Sequence, residues 1–143
     1  MPEATSIVPD KGVRAGVNQN TADIAKGTFV VLAPGAGDLP NSIDPAGNGA
    51  RVYGVTMEVI IGTTAATALG LGAQRGNIQI EGRALVIAAG ATTRGGPIGS
   101  DASGQAVNAA TGDIVSGVGV TVGVATEFLE IELAGPGGGA ITA

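Results

Sequence analysis

Glycine interrupts this chain too often for long regular elements to form. It occupies 26 of the 143 positions, and seven prolines add further breaks. Gly inside a helix or strand costs up to about 1 kcal/mol relative to Ala, because it surrenders more backbone freedom on folding. What survives between the breaks is mostly of strand length. The apolar residues in those stretches are rich in Val and Ile, which suit a pleated surface.

Read along the chain, Thr28–Ala33 forms a strand that ends at Pro34-Gly35. Residues 34–50 form a long Pro/Gly loop that includes the turn signal Asn48-Gly49. Arg51–Ile61 is β-rich, and Gly54 inside it marks a bulge or a close backbone approach. Thr63–Ala73 is the one helical candidate, with Gly70 and Gly72 near its end. Asn77–Glu81 alternates polar and apolar residues, and Arg83–Ala89 reads as a more buried strand. Brief strands are expected at Ile98–Asp101 and Gln105–Val107, separated by a turn at Asp101-Ala102-Ser103-Gly104. Val115–Ala125 places Val118, Val120, Val122 and Val124 on one face and Gly or Thr on the other. Glu127–Leu133 closes the series, with Glu130 and Glu132 on one face and Leu129, Ile131 and Leu133 on the other. No alternation of strands with helices is present. The expected fold is all-β: a small β-sandwich or barrel of short strands with Gly-rich turns.

The expected organisation is an extended N-terminal arm at residues 1–22, one β-rich domain at 23–134 and a Gly-rich tail at 135–143. The arm keeps no clear periodicity, yet it carries Ile7, Val8, Val13 and Val17, so it is not the polar composition of an ordinary disordered tail. A core built largely from Ala, Gly and Val is lean, since burial stabilises by about 0.8 kcal/mol per CH₂. Such a core suggests that stability is completed by a partner or by self-association. No basic stretch followed by an apolar run opens the chain, and no apolar run is long enough to span a bilayer.

Several chemistries are excluded by composition. Cys and His are both absent. That removes disulfides, thiolate zinc sites, thiol nucleophiles and any Ser-His-Asp arrangement. A net charge of −5 with seven Lys+Arg residues disfavours nucleic-acid binding, which needs clustered basic side chains. Gly70-Leu71-Gly72 does not complete a dinucleotide fingerprint, and neither Lys11 nor Lys26 lies in a phosphate loop. Glu58, Glu81, Glu127, Glu130 and Glu132 are the carboxylates that glycoside hydrolysis would draw on. Their alternating positions read instead as a solvated sheet face. Asp38, Asp44, Asn41 and Asn48 offer oxygen ligands of the kind calcium takes, but without EF-hand spacing. No catalytic residue, cofactor or metal site is assigned. Arg75, Arg83 and Arg94 remain, and Arg75 and Arg94 lie near turns, where an arginine fork can pair with a partner's carboxylates.

One frame runs through the second half: Ile80-Glu81-Gly82-Arg83-Ala84, Ala88-Ala89-Gly90-Ala91, then Gly95-Gly96-Pro97-Ile98-Gly99-Ser100-Asp101-Ala102-Ser103-Gly104-Gln105-Ala106-Val107. Gly117-Val118-Gly119-Val120 and an acidic strand ending in Ile131-Glu132-Leu133 follow it. Upstream, Lys26-Gly27-Thr28-Phe29-Val30 and Tyr53-Gly54-Val55-Thr56 fit as earlier strands. This frame resembles the small capsid cement, or head decoration, proteins of tailed bacteriophages. Its most specific portion is Ser100–Val107. The resemblance implies an all-β protein without enzymatic activity, made in the host cytoplasm and placed on the outer capsid surface of the virion. It implies a homotrimer that bridges neighbouring copies of the major capsid protein, with no nucleic-acid or membrane partner. On that reading Ile7, Val8, Val13 and Val17 of the arm, with Arg75 and Arg94, are the expected capsid or subunit contacts. Two other readings stand beside it. One is a glycan-binding or tail-tip module, and the other is a glycosidase-like enzyme using Glu130 and Glu132.

Overall fold

A computed structural model describes residues 12–33, 39–135, 139 and 141. Among the described residues the fold is all-β apart from one short helix, and ten strands form two five-stranded antiparallel sheets. The first sheet takes β1 (Val13–Asn18), β2 (Phe29–Leu32), β3 (Ile43–Pro45), β4 (Gly54–Thr56) and β5 (Gln74–Gln79), in the order β1-β5-β4-β2-β3. The second takes β6 (Arg83–Ile87), β7 (Pro97–Ser100), β8 (Ala106–Asn108), β9 (Gly117–Gly119) and β10 (Phe128–Leu133), in the order β6-β10-β9-β7-β8. The helix, α1 (Thr63–Ala68), lies in the connection between β4 and β5.

Each sheet curls until its two edge strands meet. Val17 of β1 bridges in parallel to Ser42, the residue before β3, and the Val17 N–H donates to the Asn41 carbonyl at 2.9 Å. Ala88, just beyond β6, bridges in parallel to Ala106 of β8, and the Ala89 N–H donates to the Ala106 carbonyl at 2.9 Å. Closure pairs backbone groups that an open edge would leave to solvent.

The two halves repeat many of the same backbone bonds. Val30 opposes Gly54 and Pro45 in the first sheet, and Ile98 opposes Gly117 and Asn108 in the second. The Gly27 N–H donates to the Thr56 carbonyl at 2.9 Å, and the Gly95 N–H to the Gly119 carbonyl at 2.7 Å. Both glycines hold the same left-handed backbone, with φ of 77° and 78°. The Ala46 and Ala109 N–H groups donate to Phe29 and Pro97, and the Ile80 and Leu133 N–H groups to Gly12 and Gly82. The connections differ. The β2–β3 link covers residues 33–42 against 101–105, and the β4–β5 link covers 57–73 against 120–127.

Glycine makes these small closed sheets possible. A Cβ on Gly54 would sit 2.5 Å from the Gln79 carbonyl oxygen, and one on Gly117 would sit 2.5 Å from that of Glu132. These are equivalent positions, and in both the obstacle is backbone, which cannot swing aside. A Cβ on Gly76 would strike the Ile60 side chain at 2.4 Å. The close approach expected at Gly54 is therefore present. The interior space goes to Ile24, Val30, Ile43, Ile60, Ile78 and Ile80 in the first half. Asn18 is buried beside them with its polar atoms paired. Its Nδ2 donates to the Ile60 carbonyl at 2.8 Å and the Ala22 carbonyl at 3.0 Å, and its Oδ1 accepts the Asn20 N–H at 3.0 Å.

A second apolar cluster joins the halves. Phe29, Ala46, Val52 and Val55 from the first pack with Val86, Ile98, Leu129 and Ile131 from the second. Backbone bonds tie the same seam: Phe29 N–H to Gly104 O, Ile87 N–H to Gly27 O and Gly49 N–H to Ser100 O, each at 2.8 Å. One core thus spans both sheets.

Several expectations change in detail. Residues 13–18, expected within an extended arm, form β1 and pair with β5 over its whole length. The expected strand Val115–Ala125 shrinks to Gly117–Gly119. Its glycine face points inward, while Val118, Val122 and Val124 are 45 %, 62 % and 52 % exposed. The physical reason for the inward glycine face is the crowding at Gly117, since a barrel this narrow takes hydrogen there and leaves no room for a branched side chain. Arg51–Ile61 contributes only Gly54–Thr56 to the sheet, and Ile60 bridges separately to Ile24. The helical candidate is realised as Thr63–Ala68.

Two outcomes test this account. Gly54→Ala and Gly117→Ala should each destabilise by about 1–3 kcal/mol in chemical denaturation. Gly90→Ala, where nothing meets the new methyl group, should stay within about 0.5 kcal/mol. Asn18→Ala should cost about 1–3 kcal/mol, because it removes the side chain's bonds to Ala22 O, Ile60 O and Asn20 N–H at a buried position and leaves the Ile60 carbonyl with the Ile24 N–H alone.

Candidate interaction surface

Residues of both sheets enclose an open groove of about 470 Å³. Consecutive residues line it on both sides. Val55, Thr56 and Met57 come from the β4 segment, and Thr56 Oγ1 there donates to Ala25 O and accepts the Thr28 N–H. Gln79 opposes Val55 across the β4–β5 ladder. From the second half come Arg83, Ala84 and Leu85 of β6 and Glu130 of β10. Leu85 and Glu130 are register partners. Lys26 completes the wall, its Nζ 5.6 Å from the centre of the Phe128 ring.

Apolar and charged side chains share the lining of the groove. Met57, Leu85 and the neighbouring Phe128 are 42 %, 47 % and 48 % exposed. Three large apolar side chains half in water around one depression form a contact surface of the kind that marks an interaction site. Arg83 reaches both acidic residues of β10, with 3.3 Å to Glu130 and 3.6 Å to Glu132. Both pairs are well exposed, so each contributes at most about 1 kcal/mol to stability. They hold Arg83 along the rim. The Gln79 side chain also donates to the Arg83 carbonyl, which links β5 to β6 beside the groove.

The residues singled out from the sequence lie in several places. Ile7 and Val8 fall outside the described residues, as does Asp38. Val13 is half-buried on β1 opposite Gln79, next to the groove. Val17 is 1 % exposed and opposes Arg75 across the β1–β5 ladder. Its surface is already covered within this chain. Arg75 is exposed on β5, and Arg94 is exposed in the β6–β7 connection, immediately before Gly95. The structure therefore sets Arg75 beside Val17 and leaves Arg94 apart from them, in a connection of the second half. Among the other candidates, Glu58 accepts the Asn77 N–H at 3.0 Å, and Asp44 lies in β3 opposite Val31. Among the described residues no three acidic side chains gather in a metal-binding group, and no helix is long and apolar enough to cross a membrane.

The Ser100–Val107 segment has a structural role. Asp101 Oδ1 accepts the N–H groups of Ser103 and Gln105, both at 2.8 Å, and so folds the β7–β8 turn on its own side chain. Gly104 follows with φ of 79° and lies against the Phe29 backbone, where a Cβ would be 2.6 Å from the Phe29 oxygen. Ala106 is fully buried at the closing bridge. Each specific residue of the motif serves the turn, the seam or the closure. Of the groove residues, Lys26 enters the sequence reading only as a rejected phosphate-loop lysine and a strand flank, and Met57 and Leu85 are not singled out. Leu85 lies in a stretch that reads as a more buried strand, and only the pairing of β6 with β10 shows which of its faces is open.

No protein-family model matches the chain, and the search of curated proteins found no similar sequence. A solved structure does match in fold: the N base of the head fibre gp8.5 of bacteriophage phi29. The likeness has a TM-score of 0.66 at 12 % sequence identity and covers 85 % of this chain and 94 % of that one. The two chains share an architecture across nearly their whole described length.

Proposed function

We propose that this chain is a non-enzymatic structural component of a tailed-bacteriophage virion. It attaches to the outer surface of the head and reinforces it by bridging neighbouring shell subunits. The observation that carries this reading is the fold likeness to the phi29 head-fibre base, which covers almost all of both chains. The Ser100–Val107 frame points independently to the head decoration proteins.

The surface chemistry supports an adhesive role. A net charge of −5 suits an outer face better than contact with packaged nucleic acid. Twelve large apolar side chains stand at least two-fifths exposed among the described residues. A body that binds only the assembled shell stabilises that shell by linkage, since the free subunits gain nothing. Trimers would multiply a weak contact through simultaneous engagement of several sites. The carboxylates that a hydrolase would use, Glu130 and Glu132, share Arg83 on an open sheet face. That arrangement neither shelters a substrate nor sets two acids apart in environment, as glycoside cleavage requires.

The decisive measurement is localisation. Labelled antibody or cryo-electron microscopy should place the chain on heads, and heads assembled without it should break at lower temperature than decorated ones. Finding it on tails, or absent from purified particles, overturns the reading. Light scattering during size exclusion should return a trimer, and a monomer at high concentration would remove the preformed-trimer part alone. Removal of residues 1–11, which leaves every described strand intact, should lower head occupancy if Ile7 and Val8 form part of the contact.

A further inference from the structure

Gly49 carries two of the backbone bonds that join the halves. Its N–H donates to the Ser100 carbonyl at 2.8 Å, and its own carbonyl accepts the Ile114 N–H at 3.2 Å. It is the third residue of a tight turn, Gly47-Asn48-Gly49-Ala50, which the Ala50 N–H closes onto the Gly47 carbonyl at 3.2 Å. Its φ of 64° is left-handed, and a Cβ there would collide with Asp113 Oδ1. The second half repeats this turn as Ala110-Thr111-Gly112-Asp113. There the Asp113 N–H donates to the Ala110 carbonyl at 2.9 Å, and Gly112 has a φ of 91°. At the exposed corner Asn48 stands where the second turn has Thr111. Of the six asparagines in the chain, Asn48 is the one that precedes a glycine.

The structure assigns Asn48–Gly49 as a site of spontaneous backbone modification, gated by the joint between the halves. An asparagine amide is chemically labile, and a following glycine puts no Cβ in the way of attack. The Gly49 nitrogen bonds to Asn48 Cγ, its proton passes through water to the leaving amide, and ammonia departs. The result is a succinimide ring, which water opens at either carbonyl. One product is aspartate at position 48 on the original backbone. The other is an isoaspartyl residue, whose main chain runs through Cγ and is one methylene longer. One water is consumed and one ammonia released, with no further reactant. Exposure gives the Asn48 side chain room to swing and water access to the ring. The Ser100 bond opposes the reaction, because it engages the attacking N–H and holds the turn. Attack therefore proceeds from the state in which that bond has opened. The products then act on the joint. The isoaspartyl link draws the Gly49 N–H away from Ser100 and its carbonyl away from Ile114. Either product adds a carboxylate next to the residue against which Asp113 packs. Each conversion thus loosens the seam that had to open for it, whatever the chain attaches to.

The test ages the full chain at mildly alkaline pH, native and unfolded in guanidinium chloride, and reads it by peptide mass spectrometry and isoaspartyl methyltransferase labelling. Asn48 should convert ahead of the other asparagines, about tenfold more slowly in the native chain than in the unfolded one. The native rate should climb as guanidinium rises below the unfolding midpoint. Asn48→Thr copies the residue of the equivalent turn, and should fold and lose the signal. In aged native chains the Gly49 and Ile114 amides should exchange with solvent at least about tenfold faster than in fresh ones. Asn48→Asp should speed them less, since it adds the charge without lengthening the chain. Equal rates in native and unfolded chains overturn the gate. A native chain still intact at Asn48 after the unfolded chain has reacted completely, or another asparagine reacting first, overturns the site. Unchanged Gly49 and Ile114 exchange in aged chains overturns the loosening.

Discussion

Closure of a five-stranded sheet on itself leaves little interior. The strands approach so closely that some inward positions meet the backbone of a neighbour instead of open space. Gly54 and Gly117 lie at such points, each within 2.5 Å of a carbonyl oxygen if given a Cβ. The remaining volume is filled by a few branched side chains, Ile78 and Val30 on one side and Ile131 and Ile98 on the other. Much follows from this single restriction. The core is lean because only part of each inner face bears side chains. Where Gly117 takes the interior, its neighbour Val118 faces water.

The chain uses this solution twice and then joins the copies. Equivalent backbone bonds recur from Gly12 and Gly82 to Ile80 and Leu133, whereas the connections differ in length. The seam also relies on a residue the repeat does not share. Phe29 occupies the place that Pro97 holds in the second half, and it lies in the cluster common to both. Gly104 and Gly27 let the two backbones approach to hydrogen-bonding distance along it. The result is one body with a long outer surface and a groove lined by both of its parts.

That surface joins the fold to the proposed role. Chemistry on small molecules needs a sheltered site with groups held in contrasting environments, and the acidic residues here stand on an open face around Arg83. Adhesion needs exposed apolar area, rim charges and a rigid frame. Met57, Leu85 and Phe128 supply the first, Lys26 and Arg83 the second, and the closed sheets the third. The likeness to a head-fibre base in architecture, at 12 % identity, fits a module in which backbone geometry outlasts side-chain identity.

Strand content, the short helix, the close approach at Gly54 and the two-faced pattern of residues 128–133 were all legible from composition and alternation. They depend on local sterics, which neighbouring residues express directly. The place of residues 13–18 was not legible, because Gly16 and a polar run hide a strand whose partners lie some sixty positions away. The repeat was hidden for a related reason. Equivalent positions such as Ile24 and Thr92, or Ile60 and Gly123, share backbone bonds but not side chains, and ladders are specified by main-chain geometry that many residues satisfy. The face that Leu85 presents was decided only in three dimensions. Alternation shows that two faces differ, whereas which one meets water depends on how far the opposing sheet reaches across the groove.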